Sequence, residues 1–317
     1  MGRVKLSYDE NIFKELKAFT PNTTDTTIKT YVYNLMNIAN YFEEKLDPEL
    51  FLEFDVIKEY MEAQQYSNNT IKNKVSAIIS YLKMKKEDDK LIQKYKDYFD
   101  VLDGRVMRQA RKMEKNDKEK SNWMTKDELL NQVEYLKSQL PKKVMTYNDL
   151  YKWMKYIILL IHITYPFRND LSQAHVIPSS TKLNNDINYI VINKKDKKAK
   201  FIIQAYKTKR TYKQKEINII PNIANEIIKY EKILSDYKKQ YDINNDLFLI
   251  DKKGEPYTTN DFTIFFKSIF ENLKKEITAT IIRKIIVSSL YDVKAIKQLS
   301  NVMMHSPQTA LEFYAKE

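Results

Sequence analysis

The sequence predicts a mainly α-helical protein with one small antiparallel β-sheet, built as a helical first domain and an α+β second domain. Three observations lead there. Apolar residues recur at helical spacing through the first hundred positions, strand-like runs are confined to residues 188–220, and Gly2, Gly104 and Gly254 are the only glycines in 317 residues. That length suits about two domains. A hydrophobic fraction of 43% is enough to build a core for each.

In "TTDTTIKTYVYNLMNIANYF", residues 23–42, Ile28, Tyr31, Leu35, Ile38 and Phe42 share one helix face. Asp25 or a neighbouring threonine can cap its start. "DVIKEYMEAQQ" reads as a short helix. In "YSNNTIKNKVSAIISYLK", residues 66–83, the stripe is Ile71, Val75, Ile78 and Leu82, with Asn68 or Asn69 as cap. The first domain therefore spans 1–111. Residues 112–122 are crowded with charge and read as a linker, and the second domain runs from 123 to 317. It opens with Thr125 as a helix cap and Glu128 three residues on, a capping-box pattern. A helix follows through "YNDLYKWMKYIILLIHITY". Lys-rich turns then separate strands near 188–193, 200–206 and 214–220. From Pro221 the pattern is helical again, broken by the loop "KKGEPYTT".

A formal net charge of +12 favours a polyanionic partner, nucleic acid ahead of a membrane surface. Arg105, Arg108, Arg111, Lys112 and Lys115 can track phosphates, although a solvated charged helix end has the same composition. The absence of cysteine excludes disulfides, thiolate catalysis and Cys-based zinc sites. Scarce glycine removes Gly-rich phosphate loops. "MGRVKLSYDENIF" lacks the apolar stretch of a signal peptide, and "YIILLIHITYPF" is too short to span a bilayer. The expectation is a protein that is not secreted and has no membrane partner.

Four segments hold candidate chemistry. In "YPFRNDL", Arg168 follows a buried helix and a Pro turn, where an arginine needs an anion or an ion pair such as Asp170. "AYKTKRTYKQK" clusters Lys207, Lys209, Arg210 and Lys213 at a hairpin tip, which can enter a DNA groove or be an ordinary charged turn. In "ITATIIRKIIVSSL", Arg283 lies among Ile281, Ile282, Ile285 and Ile286 and requires a partner or ligand. In "HSPQTALEFY", Ser306 caps a helix, Pro307 opens it, and Tyr314 follows His305 by nine positions.

In this order, the four segments resemble the tyrosine recombinase (integrase) family over about residues 125–317. "HSPQTALEFY" is similar to that family's His-to-Tyr motif, and "YPFRNDL" to its first Arg motif, as found in viruses and mobile elements. "TIKTYVYNLMNIANYF" with "YSNNTIKNKVSAIISYL" resembles its helical core-binding domain. The resemblance implies site-specific cleavage and rejoining of double-stranded DNA through a 3′-phosphotyrosyl bond, without metal, ATP or other cofactor. It implies Tyr314 as nucleophile, Arg168 and Arg283 as phosphate clamps, and His305 as a phosphate ligand. Lys207, or else Lys209 or Lys213, would protonate the leaving 5′-oxygen. Thr280 stands where the family often has histidine, able to donate a hydrogen bond but poor as an acid or base. Self-association into a synaptic tetramer is implied, as is a location wherever the target DNA lies: cytoplasm, nucleoid or host nucleus. The "AKE" after Tyr314 leaves no further helix to dock on a neighbouring subunit, so coupling would run through another surface or the chain is truncated. Two other readings stand beside this one: a type IB topoisomerase with similar residues, and a recombinase-derived DNA-binding protein without catalysis.

Overall fold

The computed structural model describes residues 8–179, 181, 183–206, 209, 213–290 and 293–316. The chain forms two compact units, Met1–Lys112 and Met113–Glu317. The first is all helix: α1 (Glu10–Phe19), α2 (Asp25–Tyr41), α3 (Phe54–Ala63), α4 (Asn68–Lys85) and α5 (Asp89–Arg111), with a 3-10 turn at Pro48–Phe51. The expected stripes face its core, where Ile28, Leu35, Ile38, Val75, Ile78 and Leu82 are fully buried. Each such side chain contributes roughly 1.5–3 kcal/mol on leaving water. Thr24 caps α2, accepting from the Thr27 N–H. α4 is capped by Ser67 rather than by Asn68 or Asn69. Ser67 is the last residue in the extended conformation, and both asparagines already lie in the first turn.

The second unit begins inside the stretch that reads as linker. Within 112–122 lies a helix, α6 (Asp117–Asn122), started by a capping box between Asn116 and Glu119. Six residues are too few to show a helical period, so its only sequence signature is that Asn-x-x-Glu spacing. α7 (Lys126–Ser138) has the expected Thr125–Glu128 capping box. The apolar α8 (Tyr147–Thr164) is the central helix, with Leu150, Ile157, Ile158, Leu159 and Ile161 fully buried.

The mainly helical class with one small sheet is what the chain adopts. The sheet has four strands in the order β1 (His175–Pro178), β2 (Tyr189–Asn193), β3 (Lys198–Ile203), β4 (Lys215–Asn218). It is mixed: β2–β3 and β3–β4 are antiparallel, whereas β1 pairs parallel to β2. Four residues ending in proline carry almost no periodicity, which hid β1 in the sequence. β3 stops at Ile203 because the backbone N–H groups of Gln204 and Ala205 go to the Asn188 side chain instead of a neighbouring strand. Alternation along the strands fills both faces. Ile190, Ile192, Ala199, Phe201 and Ile203 enter the main core, while Tyr189, Val191 and Ile202 form a second cluster with Ile177.

After the sheet come α9 (Pro221–Gln240), α10 (Thr259–Ser268), α11 (Ala279–Ser288), α12 (Val293–Met303) and α13 (Pro307–Tyr314). Val287 of α11, Ile296 and Met303 of α12 and Ala310 of α13 make a satellite core against which Leu299, Leu311 and Tyr314 pack. Among the described residues, no helix is long and apolar enough to cross a membrane.

Phe201 has no exposed surface and meets Phe167 edge-on, at 5.0 Å between ring centroids, one residue before Arg168. Phe201→Ala is expected to destabilise the second unit by about 3–5 kcal/mol. Both tryptophans, Trp123 and Trp153, belong to that unit. Their fluorescence during urea unfolding checks the prediction, and a loss below about 1 kcal/mol would contradict it.

Candidate active site

α8 ends at Thr164 with Tyr165 as its C-cap, and the turn through Pro166 and buried Phe167 delivers Arg168 to the start of a 3-10 turn, Asn169–Leu171. The Arg168 backbone is held from two sides. Its N–H donates to the Asp170 carboxylate at 3.1 Å, and its carbonyl lies 3.4 Å from Nε2 of the buried His162. Asp170 thus serves the backbone rather than the guanidinium. Burial pushes the Asp170 carboxyl up, against the pull of Arg168. The guanidinium turns instead to His305, with Nη2 3.0 Å from Nε2 across 137 positions of sequence.

His305 owes its place to the end of α12. Met304 adopts a left-handed conformation at φ +56°, and the His305 N–H returns to the Ser300 carbonyl at 3.0 Å, as in a Schellman ending. Left-handed backbone at a non-glycine costs roughly 1–2 kcal/mol, offset here by the complete burial of Met304. Ser306 then caps α13 as expected, accepting from the Thr309 N–H, with Pro307 in its first turn. One short helix later, the Tyr314 hydroxyl sits 3.2 Å from His305 Nε2. Burial, then Arg283 and Arg168, lower the His305 pKa to about 3. A neutral ring flanked by donors on Nε2 carries its proton on Nδ1, so Nε2 accepts from both Arg168 and Tyr314.

Arg283 projects from α11 with no exposed surface, its neighbours Ile281, Ile282, Ile285 and Ile286 all buried. Burial lowers its pKa to about 10, so it remains cationic at neutral pH. Nη2 reaches the Met303 carbonyl at 3.5 Å, and the guanidinium carbon lies 4.7 Å from the centre of the Tyr314 ring, a cation–π contact. Among the described residues, Arg283 Nε and Nη1 and Arg168 Nη1 are buried without a hydrogen-bond acceptor.

The four residues Arg168, Arg283, His305 and Tyr314 are therefore brought together. Thr280 is exposed in the first turn of α11 and lines an open cleft of about 570 Å³ with Arg168, Asp170 and Asn188. Lys207 and Arg210 lie outside the described residues. Lys209 donates to the Asn185 carbonyl at 2.6 Å and stands 3.5 Å from Asp186, which lines the same cleft. Lys213 is exposed, and its carbonyl accepts from the Tyr206 hydroxyl. Arg105, Arg108, Arg111 and Lys112 are all exposed at the end of α5 in the first unit, with Arg105, Arg108 and Lys112 at helical spacing on one face. No group of three or more His, Asp or Glu residues among those described is placed to hold a metal.

Two residues that sequence reading passed over support the site. His162 has no exposed surface, and its Nδ1 lies 2.8 Å from the Ile158 carbonyl beneath the Arg168 turn. Its apolar helix context read simply as core. Buried Asn188 uses its whole amide. Oδ1 accepts from Gln204 and Ala205 N–H, and Nδ2 donates to the Asp170 and Ala205 carbonyls. It ties the Arg168 turn to the base of the lysine hairpin, a contact no local pattern reveals.

No protein-family model matches the chain, and no curated protein does. Solved structures of recombinases do align along it. XerA recombinase aligns at 11% identity over 97% of this chain and 94% of its own, with a TM-score of 0.42. XerH site-specific recombinase bound to difH substrate, in a pre-cleavage complex, aligns at 13% over 95% and 91%, with 0.47. XerH in a post-cleavage complex with palindromic difH aligns at 12% over 95% and 90%, with 0.46. At such distances it is the geometry of this site that bears on function.

Asn188→Ala would leave four backbone groups without partners and is expected to cost about 2–5 kcal/mol, seen as a lower Tm by scanning calorimetry. The buried histidines predict a pH effect. Burial lowers the His162 pKa to about 4 and, with the two arginines, that of His305 to about 3, both below the ordinary 6.5. The unfolded chain therefore takes up these protons first. Their stabilising contribution is complete above pH 6.5 and is lost as pH falls toward 4 and then 3. Urea unfolding at pH 7 and 4.5 should differ by on the order of 2–3 kcal/mol through His162, with His305 adding to the fall, so His162→Gln should remove its share of the difference and leave the rest.

Proposed function

We propose that this chain is a site-specific DNA recombinase that cleaves and rejoins double-stranded DNA through a 3′-phosphotyrosyl intermediate. The observation that carries the reading is the convergence of Tyr314 and Arg168 on one nitrogen of neutral His305, with cationic Arg283 against the tyrosine ring. A phosphodiester admitted beside Tyr314, with the ring that covers Arg283 moved aside, would bring its non-bridging oxygens to N–H groups of Arg168 and Arg283 that otherwise have no acceptor. The phenolic oxygen attacks phosphorus, and His305 Nε2 receives its proton. Entry of the phosphate charge offsets the two guanidinium groups that otherwise keep the imidazole from protonating. The 5′-oxygen leaves with a proton from the lysine hairpin, for which Lys207 is the first candidate and Lys209 and Lys213 the others. Thr280 can add a hydroxyl donor from the cleft wall. The phosphotyrosyl ester conserves the bond energy for rejoining, so the reaction needs neither ATP nor metal.

The exposed Arg105, Arg108, Arg111 and Lys112, together with Lys209, Arg210 and Lys213, would supply phosphate contacts. Assembly of several copies on DNA follows from the need to exchange strands between two duplexes. Integration by a virus or mobile element, in cytoplasm, nucleoid or host nucleus, is the finer assignment. Its support is the Lys-, Asn- and Ile-rich usage and the "RNDL" form of the first motif.

The test uses nicked suicide duplexes built from repeats flanking the gene, in EDTA. Wild type should form a covalent protein–DNA adduct and Tyr314→Phe none, while Arg168→Ala and Arg283→Ala should cleave roughly 10²–10³-fold more slowly. Absence of an adduct on the cognate site would leave a DNA-binding protein without catalysis. Sequence-independent relaxation of supercoiled plasmid by a monomer would point to a type IB topoisomerase instead.

A further inference from the structure

The helix that opens the second unit is fastened to the elements that carry Arg283 and Tyr314. In the capping box of α6, Glu119 Oε2 accepts from the Asn116 N–H at 3.1 Å. Its other oxygen, Oε1, pairs with Lys284, the residue next to Arg283. The pair is secluded, with Glu119 6% exposed. Lys316 shares this neighbourhood: Glu119 attracts its ammonium group and Lys284 repels it. Lys316 lies two positions beyond Tyr314, and its backbone N–H donates to Ser288 Oγ at the end of α11, at 2.7 Å. The carboxylate thus holds an ammonium group on the helix of Arg283, and the segment that leaves Tyr314 is hydrogen-bonded to the end of that same helix.

That charge is not what docks α6. Asn122 Oδ1 accepts from the Glu276 N–H, and Lys275 donates to the Ser121 and Trp123 carbonyls at 3.2 and 2.9 Å. These contacts hold the short helix in place independently. Without the carboxylate, the Lys284 ammonium would be left unpaired in a partly dry site and would turn toward water, loosening α11 from α6. Arg283 and the Tyr314 ring are 4.7 Å apart, so a small drift between α11 and the end of α13 would spoil their alignment.

We propose that Glu119 is a positioning residue for strand cleavage: by pairing with Lys284, it holds α11 in the register that sets Arg283 against Tyr314. The proposal rests on the reading of Tyr314 as nucleophile. Glu119 touches neither the DNA nor the reacting atoms.

Glu119→Gln in the intact chain tests it. Glutamine keeps the capping acceptor and the volume and removes only the charge. Single-turnover adduct formation should slow about tenfold or more, with DNA affinity within about twofold. Glu119→Asp, which keeps charge and cap as Asp149 does in the capping box of α8, should recover much of the rate. Asn122→Ala loosens α6 and leaves the charge, so its rate should stay near wild type. Lys284→Met breaks the pair from the other side and should slow cleavage as Glu119→Gln does, so the result does not hang on one variant's folding. Wild-type cleavage by Glu119→Gln, or an equal loss in Asn122→Ala, overturns the proposal. A wild type that forms no adduct overturns the nucleophile reading and this one with it, whereas an adduct that Glu119→Gln forms unimpaired overturns this one alone.

Discussion

Arg283 is a full positive charge with no exposed surface in the middle of an apolar helix. Removing such a charge from water costs several kcal/mol even after relaxation. Its compensation is incomplete: a long hydrogen bond to the Met303 carbonyl, the face of Tyr314, and a favourable field from Asp170. Each of these fixes something else. The carbonyl requires α12 to end over α11, the ring requires α13 to finish where it does, and the field requires the Arg168 turn nearby. The packing of Val287, Ile296, Met303 and Ala310 holds the arrangement. Buried donors left partly unmatched are rare in folded proteins and are kept where a ligand or a reaction uses them.

Charge also decides the state of His305. The two guanidinium groups that would grip a phosphate are the second and third causes of its depressed pKa, after burial. The imidazole is therefore an acceptor as the site stands. A bound anion would shift it toward holding a proton. In the proposed reaction the substrate's own charge makes its base competent, and the base need not compete with solvent protons beforehand.

Around this centre the fold supplies precision by non-local polar contacts. Asn188 joins the Arg168 turn to the hairpin base, His162 lies beneath the same turn, and Glu119 ties Lys284 of α11 to α6. All three are buried. A satisfied buried polar group restricts neighbours to one geometry, because any other leaves it unpaired.

Much was legible beforehand because it is local. Helical stripes such as Ile28–Leu35–Ile38, the Thr125–Glu128 box, and the Ser306–Pro307 start of α13 depend on residues within a turn or two of one another. Arg168, Arg283, His305 and Tyr314 could be singled out because a charged or nucleophilic residue in an apolar or capped setting stands out along the chain. The sequence alone thus determined the helical class, the small sheet and the candidate chemical groups. It left open whether Arg168 paired with Asp170. It missed β1, α6 and the roles of Asn188, His162 and Glu119. β1 and α6 are too short to show a period, whereas the roles of Asn188 and Glu119 depend on partners brought near only by folding, such as Lys284 for Glu119 at a separation of 165 residues. The tertiary structure decided them, because a hydrogen bond or ion pair acts over a few ångströms of space and is blind to distance along the chain.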